Sequence, residues 1–430
     1  MNRLGVSEGS EQSLSLAVIG LGYVGLPLAH GATLVGMSVI GFDTSARTVE
    51  SLNEGHSHID DLSDDDVRAM LGAGFTATTD PASLAGPDVI VICVPTPLSA
   101  ENGPNLDAVE SAARAAAAHL RPGQLVVLES TTYPGTTEEI LVPILETSGL
   151  KLGIDFFCAF SPERIDPGNA VYTLQNTPKV VGGMTPECTR RAAEFYGRIV
   201  ESVVIAKGVR EAEMTKLLEN TYRHVNIALV NEMARFCNEL EIDLWDSIRC
   251  AATKPFGFSP FYPGPGVGGH CIPIDPNYLS YRVKTSLGFP FRFVELAQEI
   301  NASMPGYVAR RVQDLLNEFG KAVRGARVLL LGVTYKADIT DQRESPAVDV
   351  AEALILMGAD VRYHDPFVAQ WDLDGRVLTC IENLDDELAK ADLVVLVQAH
   401  SQYDLAALGA LPTPLLDTRG VVTGPMVTRL

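Results

Sequence analysis

The sequence is poor in positive charge, and this shortage argues against two classes of partner. Its 430 residues contain 33 Lys plus Arg against 54 Asp plus Glu, which gives a formal net charge of −21 at pH 7. A field of this sign repels polyanions, so we expect neither nucleic acid nor an anionic membrane as a partner. A small anionic ligand can still bind, because hydrogen-bond donors in contact with it outweigh the net charge.

Cysteine is also scarce, and its arrangement is typical of reduced thiols. The seven cysteines are scattered, without a CxxC pair and without histidine neighbours at the spacing of metal ligands. This pattern predicts neither disulfides nor a metal site and favours the cytoplasm. Residues 1–13 lack the basic start and apolar core of a signal peptide, so we predict a short flexible tail.

Charged residues are absent from one long segment, Ser13–Phe42. Its length could cross a bilayer, but glycines, a proline and a histidine interrupt it. Because β-branched runs flank a glycine turn and a helical stretch, the order favours a buried strand–helix–strand unit over a membrane span.

The clearest motif in this segment is GxGxxG. Gly20, Gly22 and Gly25 follow a predicted strand and open a predicted helix, and a second strand then leads to Asp43. The first glycine permits a tight turn, the second lets the backbone approach a pyrophosphate, and the third lets the helix pack on the strand. An aspartate at this place accepts hydrogen bonds from a ribose diol and disfavours a 2′-phosphate. The motif therefore predicts NAD, and not NADP, as cofactor.

Strands and helical stretches alternate along the rest of the chain, which predicts an α/β fold with two Rossmann-like doubly wound domains joined by a long central helix. The helix is predicted at 209–240, where glycine and proline are absent and apolar residues recur every three or four positions. After the tail at 1–13, the predicted domains are a nucleotide-binding domain at 14–207, a central helical region at 208–320 and a second Rossmann-like domain at 321–430.

A loop rich in proline, glycine and aromatic residues, at 253–276, contains a distinctive cysteine. Cys271 follows Gly268, Gly269 and His270. Glycines leave room for a substrate beside a thiol, and backbone amides can stabilise a thiolate. A single cysteine is about as often structural as nucleophilic, so both interpretations stay open for this residue alone. Four other cysteines have apolar neighbours, as small core residues do: Cys93, Cys158, Cys237 and Cys250.

Three polar residues favour the nucleophilic interpretation. Asp275 closely follows Cys271, and Lys216 and Asn220 are spaced to share one face of the central helix. A lysine and an aspartate near a thiol can orient water and move protons; the alternative is a solvated helix face with no partner.

Seven blocks of sequence occur in order over nearly the whole chain: Gly20–Gly25 with Asp43, Cys93–Pro97, Glu129–Thr131, Ser161–Arg164, and residues 212–220, 264–275 and 335–346. Together they resemble the UDP-sugar 6-dehydrogenases, the family of UDP-glucose dehydrogenase. The resemblance implies an NAD-binding first domain, a central helix that forms a homodimer, and a UDP-binding last domain. It also implies that the C6 hydroxyl of a UDP-hexose is oxidised to an acid by two hydride transfers to NAD, through a Cys271 thiohemiacetal and thioester.

The resemblance further implies roles for the matching positions. Cys271 would be the nucleophile, with Lys216 and Asn220 at the oxyanion, Asp275 supporting a base or water, and Thr131 and Glu163 positioning water or contacting the nicotinamide. The implied cofactor contacts are Gly20, Gly22, Tyr23, Val24, Gly25, Asp43, Arg47, Pro95, Thr96, Thr131 and Arg343. The implied substrate contacts are Glu163, Arg164, Ile165, Lys216, Asn220, Arg223, Phe261, Tyr262, Gly264, Gly268 and Lys336.

Two departures from the glucose-oxidising pattern bear on the substrate. Ile274 stands where GFGGSCFPKD has a lysine before the aspartate, and His270 precedes the cysteine. The sequences GGHCIPIDP, KPF at 254–256 and SPERIDPGN at 161–169 resemble the branch that oxidises UDP-N-acetylhexosamines. We therefore predict UDP-N-acetylglucosamine as substrate, with UDP-N-acetylmannosamine, UDP-N-acetylgalactosamine and UDP-glucose as alternatives.

Two rival functions differ from the predicted one in the residues that they need. A non-catalytic regulator that binds nucleotide sugars would not need Cys271, Lys216, Asn220 and Asp275 together. A dehydrogenase that transfers a single hydride, such as a 3-hydroxyacyl or 6-phosphogluconate type, would need no thiol. Replacement of Cys271 separates these functions from the predicted one.

Overall fold

The chain divides into two structural units between Leu218 and Glu219. A computed structural model describes residues 14–99, 103–166, 169, 171–269, 272–373 and 375–430. The predicted tail at 1–13, His270 and Cys271 lie outside these residues. None of the helices within the described ranges is long and apolar enough to cross a membrane.

An eight-stranded sheet forms the first unit. Its strands are β1 (Ser15–Ile19), β2 (Ser38–Phe42), β3 (Thr76–Thr78), β4 (Val89–Ile92), β5 (Leu125–Leu128), β6 (Phe157–Phe160), β7 (Lys179–Gly183) and β8 (Val203–Ile205). They lie in the order β3-β2-β1-β4-β5-β6-β7-β8, and all neighbours are parallel except β6 and β7. The helices of the unit are α1 (Gly25–Leu34), α2 (Ala46–Asn53), α3 (Asp64–Gly72), α4 (Asp107–His119), α5 (Val142–Glu146) and α6 (Pro186–Tyr196).

Both faces of this sheet are buried, which explains the unbroken apolar runs in its strands. In β4, Val89 and Val91 pack into the hydrophobic cluster on one face, while Ile90 and Ile92 pack into the cluster on the other. Side chains of successive strand residues alternate between the faces, so a strand covered on both sides must be apolar throughout.

The long helix α7 occupies Val209–Glu239, close to the predicted 209–240. It begins in the first unit and continues into the second. The second unit then contains α8 (Leu244–Ala251), α9 (Asp275–Leu287) and α10 (Arg292–Glu318).

A second Rossmann-like arrangement completes the chain. Its elements are β9 (Arg327–Leu331), α11 (Pro346–Leu356), β10 (Asp360–His364), β11 (Gln370–Leu373), β12 (Arg376–Thr379), α12 (Leu384–Leu388), β13 (Leu393–Leu396), α13 (Leu405–Gly409), β14 (Leu415–Asp417) and β15 (Val427–Arg429). Five strands form a parallel sheet in the order β10-β9-β13-β14-β15, and β11 and β12 form a separate hairpin. The predicted fold class, with two Rossmann-like domains and a long central helix, is confirmed.

One prediction about the cysteines is wrong. Cys93, Cys158 and Cys237 are buried, as expected of core residues, but Cys250 is exposed. Helix α8 buries Leu244 and Ile248, which are one turn apart, and this places Cys250 on the opposite side of the helix.

Candidate active site

The glycine turn after β1 has the geometry that the motif requires. Gly20 has φ +91°, and a Cβ there would lie 2.6 Å from the Cys93 carbonyl oxygen. A Cβ on Gly25 would collide with the Gly20 carbonyl oxygen, so the start of α1 packs closely against the turn. At Gly22, by contrast, no described atom lies within 4 Å of a Cβ position. The turn thus presents open backbone at the place where a pyrophosphate would bind.

Asp43 is fixed beside this turn by backbone donors. Its Oδ2 accepts a hydrogen bond from Leu21 N at 2.9 Å, and its Oδ1 accepts one from Ser45 N at 2.9 Å. The carboxylate therefore lies at the carboxyl edge of β2, next to the glycine turn that follows β1. A carboxylate in this place suits an adenosine ribose, so the residues present fit NAD. Tyr23 and Val24 are half-buried at the start of α1, and Arg47 is exposed in the first turn of α2.

Two further loops leave the same edge of the sheet and are hydrogen-bonded to each other. Thr96 Oγ1 donates to the Thr131 carbonyl oxygen at 2.9 Å, and Ser130 Oγ donates to the Val94 carbonyl oxygen at 2.8 Å. Carboxyl ends of neighbouring parallel strands meet at one edge, and the structure accordingly brings Thr96 and Thr131 together with the glycine turn. Pro95 is exposed on the same loop.

Glu163, which follows β6, is buried and held by several donors. Its Oε1 accepts hydrogen bonds from Arg164 N and Ile165 N, both at 2.6 Å, and its Oε2 lies 2.8 Å from Lys179 Nζ. Burial opposes ionisation of this carboxyl, but the charge and hydrogen bond of Lys179, the Ile165 N–H and the Lys216 ammonium together hold the pKa of Glu163 below its ordinary value. The Glu163 side chain is thus a carboxylate held in one position. The neighbouring Arg164 turns to another partner, since its Nη1 donates to the Pro178 carbonyl oxygen at 2.7 Å.

Lys216 reaches the same loop from α7. Its Nζ donates to the carbonyl oxygen of Glu163 at 2.6 Å, and the side chain is half-buried. Since an ammonium has three donors, this bond orients the group without using all of its hydrogen-bonding capacity. The first unit therefore brings together two of the predicted catalytic residues, Lys216 and Glu163.

Asn220 and Asp275 form a buried pair in the second unit. Asn220 Nδ2 donates to Asp275 Oδ2 at 2.5 Å, and the two residues are 5 % and 3 % exposed. Asp275 is the first residue of α9, where a carboxylate is stabilised by the positive end of the helix dipole. This aspartate directly follows the loop that contains Cys271.

The loop before Cys271 is packed tightly where its glycines occur. A Cβ on Gly268 would lie 2.6 Å from Tyr335 Cβ and 2.7 Å from the Glu344 carbonyl oxygen. Gly269 has φ +80° and lies against the Tyr335 ring. Its N–H donates to the Arg343 carbonyl oxygen at 3.2 Å. The glycines therefore permit close approach of two loops, in addition to the room for a substrate that the sequence suggested.

The remaining predicted substrate contacts in the second unit occupy varied environments. Gly264 N donates to Asn231 Oδ1 at 2.9 Å, and the Tyr262 ring stacks on Trp245 with centroids 5.7 Å apart. The Phe261 ring meets Tyr222 edge to face. Arg223 is exposed, and Lys336 is half-buried in the loop after β9.

Arg343, a predicted cofactor contact, is engaged with a neighbouring carboxylate. Its Nε and Nη2 bind Asp341 in a bidentate ion pair, with the shortest N–O distance 2.6 Å. A ligand phosphate at this place would have to share or replace Asp341. Among the described residues no cluster of three or more His, Cys, Asp or Glu could hold a metal ion.

Sequence reasoning missed the buried ion pairs of Lys179. Its Nζ lies 2.8 Å from Glu163 and 3.1 Å from Glu129, and the side chain is 3 % exposed. The only signal in the sequence was a lysine at the start of an otherwise apolar strand, KVVGG. It also missed the Asn231–Asn301 hydrogen bond, 2.9 Å long, which supports the loop at Gly264.

Comparison with known proteins agrees with this arrangement. UDP-N-acetyl-D-mannosamine dehydrogenase of Escherichia coli strain K12 is 35 % identical over 403 residues, which cover 90 % of this chain and 94 % of that protein. The chain belongs to the UDP-glucose/GDP-mannose dehydrogenase family. The family's NAD binding domain matches residues 14–200, its central domain 210–303 and its UDP binding domain 329–424.

Two further members of the dehydrogenase family extend the comparison. NDP-N-acetyl-D-galactosaminuronic acid dehydrogenase of Ralstonia nicotianae is 36 % identical over 422 residues, covering 95 % of this chain and 96 % of that protein. The solved UDP-D-ManNAc dehydrogenase of Pyrococcus horikoshii has a TM-score of 0.87 at 31 % identity, with 97 % of this chain and 99 % of that chain covered. The chain is an NAD-dependent nucleotide-sugar dehydrogenase, and its predicted cofactor is confirmed.

Proposed function

We propose that this dehydrogenase oxidises the C6 hydroxyl of a UDP-N-acetylhexosamine to the acid, with Cys271 as nucleophile and two NAD consumed per sugar. The observation that carries the proposal is the buried hydrogen bond between Asn220 and Asp275, 2.5 Å long, at the helix start that directly follows the Cys271 loop. Burial of such a pair, with Asp275 four positions after Cys271 along the chain, favours an organised catalytic group over a solvated helix face.

NAD, when bound, supplies the acceptor for the hydride that leaves C6. The first oxidation gives an aldehyde, and the Cys271 sulfur then adds to its carbonyl carbon to form a thiohemiacetal. Loss of the second hydride converts this adduct to a thioester, and water cleaves the C–S bond, which releases the acid and restores the thiol. The thiol is needed because the carbon of a free aldehyde bears no oxyanion that can expel a hydride, whereas the carbon of the thiol adduct does.

Lys216 and Asn220 stabilise the oxyanion on C6 in this proposal. The Glu163 carbonyl orients the Lys216 ammonium. A charged donor that is held in place before the reaction stabilises the transition state more than one that must first reorganise. Asp275 supports loss of the Cys271 proton or activation of the attacking water.

Glu163 is assigned a positioning role in this proposal. Its carboxylate already accepts two backbone N–H groups and the Lys179 ammonium, and its lowered pKa makes it a weak base. We assign Thr131 to the cofactor side, because its loop leaves the same sheet edge as the glycine turn and its carbonyl oxygen accepts the Thr96 hydroxyl.

The substrate is tested by comparing NADH formation with several nucleotide sugars at equal concentration. The relatives reported above are named for N-acetylated sugars, which supports this class, and UDP-N-acetylmannosamine is the first candidate. UDP-N-acetylglucosamine stays a prediction from the sequence. A site built to hydrogen-bond an acetamido group should favour these sugars over UDP-glucose by about 100-fold in kcat/KM. Preference for UDP-glucose or GDP-mannose would contradict the proposed substrate class.

We further propose that two copies of the chain pair through α7. Tyr222, Leu229 and Phe236 lie exposed at intervals of seven residues, as on a helix that packs against a partner helix. Light scattering should give twice the mass of one chain for the wild-type protein. Leu229→Glu should lower the measured mass towards that of the monomer. A wild-type protein with the mass of one chain would contradict the pairing.

A further inference from the structure

We propose that Lys179 is a positioning residue of the dehydrogenase: through Glu163 it fixes the loop whose carbonyl holds Lys216. This inference rests on the proposed role of Lys216 in the reaction. Lys179 lies on β7, and neither the sequence motifs nor the proposed chemistry uses it.

Lys179 is buried and paired with two carboxylates. The residue is 3 % exposed, and its Nζ lies 2.8 Å from Glu163 Oε2 and 3.1 Å from Glu129 Oε1. Burial alone would lower the pKa of this ammonium, but the two carboxylates raise it above its ordinary value. Because a buried cation is costly unless paired, the three side chains have little freedom to separate.

Glu163 connects this cluster of three side chains to Lys216. Glu163 uses one carboxylate oxygen for Lys179 and the other for Arg164 N and Ile165 N, and the latter bonds fix the turn after β6. The carbonyl of the same Glu163 accepts the bond from Lys216 Nζ at 2.6 Å. A short series of hydrogen bonds therefore runs from β7 through this turn to α7.

The side chains of Tyr196 and Cys93 also face this cluster. Tyr196 OH donates a hydrogen bond to Glu129, and Cys93 Sγ lies 3.9 Å from Glu129 Oε2. Burial raises the pKa values of this phenol and this thiol, so both stay neutral near pH 7. Burial also raises the pKa of Glu129. Lys179 is thus the cation that Glu129 and Glu163 share, and loss of its charge would leave these two adjacent carboxyl groups without it.

The experiment compares Lys179→Met with Lys179→Arg. The protein is treated with an amine-reactive acylating reagent. Mass spectrometry then measures the extent of labelling at Lys216 relative to that at Lys390, which is exposed in the other unit. Without the Lys179 charge we expect Lys216 labelling, relative to Lys390, to rise by about fivefold and kcat to fall by about 100-fold, with KM for NAD changed less than about threefold. Lys179→Arg should bring both Lys216 labelling and kcat most of the way back to the wild-type values, because a guanidinium can bridge the same two carboxylates.

Arg327→Met is the matched control, since it breaks the Arg327–Glu387 ion pair at the start of β9 in the second unit. It should lower the thermal unfolding temperature while leaving Lys216 labelling and kcat unchanged. If Lys179→Met does not fold, the double variant Lys179→Met/Glu129→Gln removes a cation together with a carboxylate and keeps the buried net charge, so labelling is measured there.

Unchanged Lys216 labelling in the folded variant would overturn the inference, even if activity were lost. If the wild-type enzyme oxidised no UDP-sugar, the proposed function would fail, but the labelling comparison would still decide whether Lys179 positions Lys216.

Discussion

Replacement of Cys271 by serine is expected to reduce formation of the UDP-uronic acid by at least about 10³-fold, because a hydroxyl is a far weaker nucleophile than a thiolate near pH 7. The first hydride transfer does not need the sulfur, so the variant should still release a small amount of aldehyde. A carbonyl trap such as hydroxylamine, followed by mass spectrometry of the nucleotide products, separates aldehyde from acid.

Cys250→Ser is the matched control for this variant. Cys250 is an exposed free thiol on α8, so its loss tests whether any accessible cysteine affects the assay. It should leave acid formation unchanged. Normal acid formation by Cys271→Ser would instead support a single-hydride enzyme or a different nucleophile.

Replacement of Lys216 by methionine has the second-largest expected effect. Methionine keeps much of the length of the side chain but cannot donate to an oxyanion, and removal of one such donor costs about 10²–10³ in kcat. KM for the UDP-sugar should change much less, because the donor acts chiefly when negative charge develops on C6. Steady-state NADH kinetics at saturating NAD measure both constants.

The control for this variant is Lys207→Met, since Lys207 is exposed just before α7. It removes the same charge from the same region and should leave kcat within about twofold. A Lys216→Met enzyme with kcat within about threefold of the wild type would contradict the role of Lys216 at the oxyanion.

The parts of the fold that depend on local pattern were predictable. The glycine turn, Asp43 and the strands around them follow from short-range spacing. Helix α7 was predictable because a long stretch without glycine or proline, with apolar residues every three or four positions, favours a helix over other secondary structure. In each case the sequence pattern lies within the same residues that form the structural element.

The contacts of the site depend on which strands become neighbours, and no local pattern contains that information. Glu129 follows β5, Glu163 follows β6 and Lys179 begins β7, so their cluster exists only because these three strands are adjacent and β7 runs antiparallel to β6. The packing of Tyr335 against Gly268 and Gly269 is likewise a meeting of distant loops. Cys250 was assigned wrongly because the composition around it did not indicate which side of α8 it occupies.

The proposed domain boundaries and the role of Cys271 remain predictions from the sequence. Cys271 lies outside the described residues. Its role is therefore tested by the products of the reaction. The decisive quantity is the number of hydrides that each sugar loses.

That number is measured by the ratio of NADH formed to UDP-sugar consumed at completion, with excess NAD and the preferred nucleotide sugar. Oxidation through a thioester predicts two NADH per sugar and an acid as the sole sugar product. A ratio of one, with an aldehyde or ketone as product, would contradict the account.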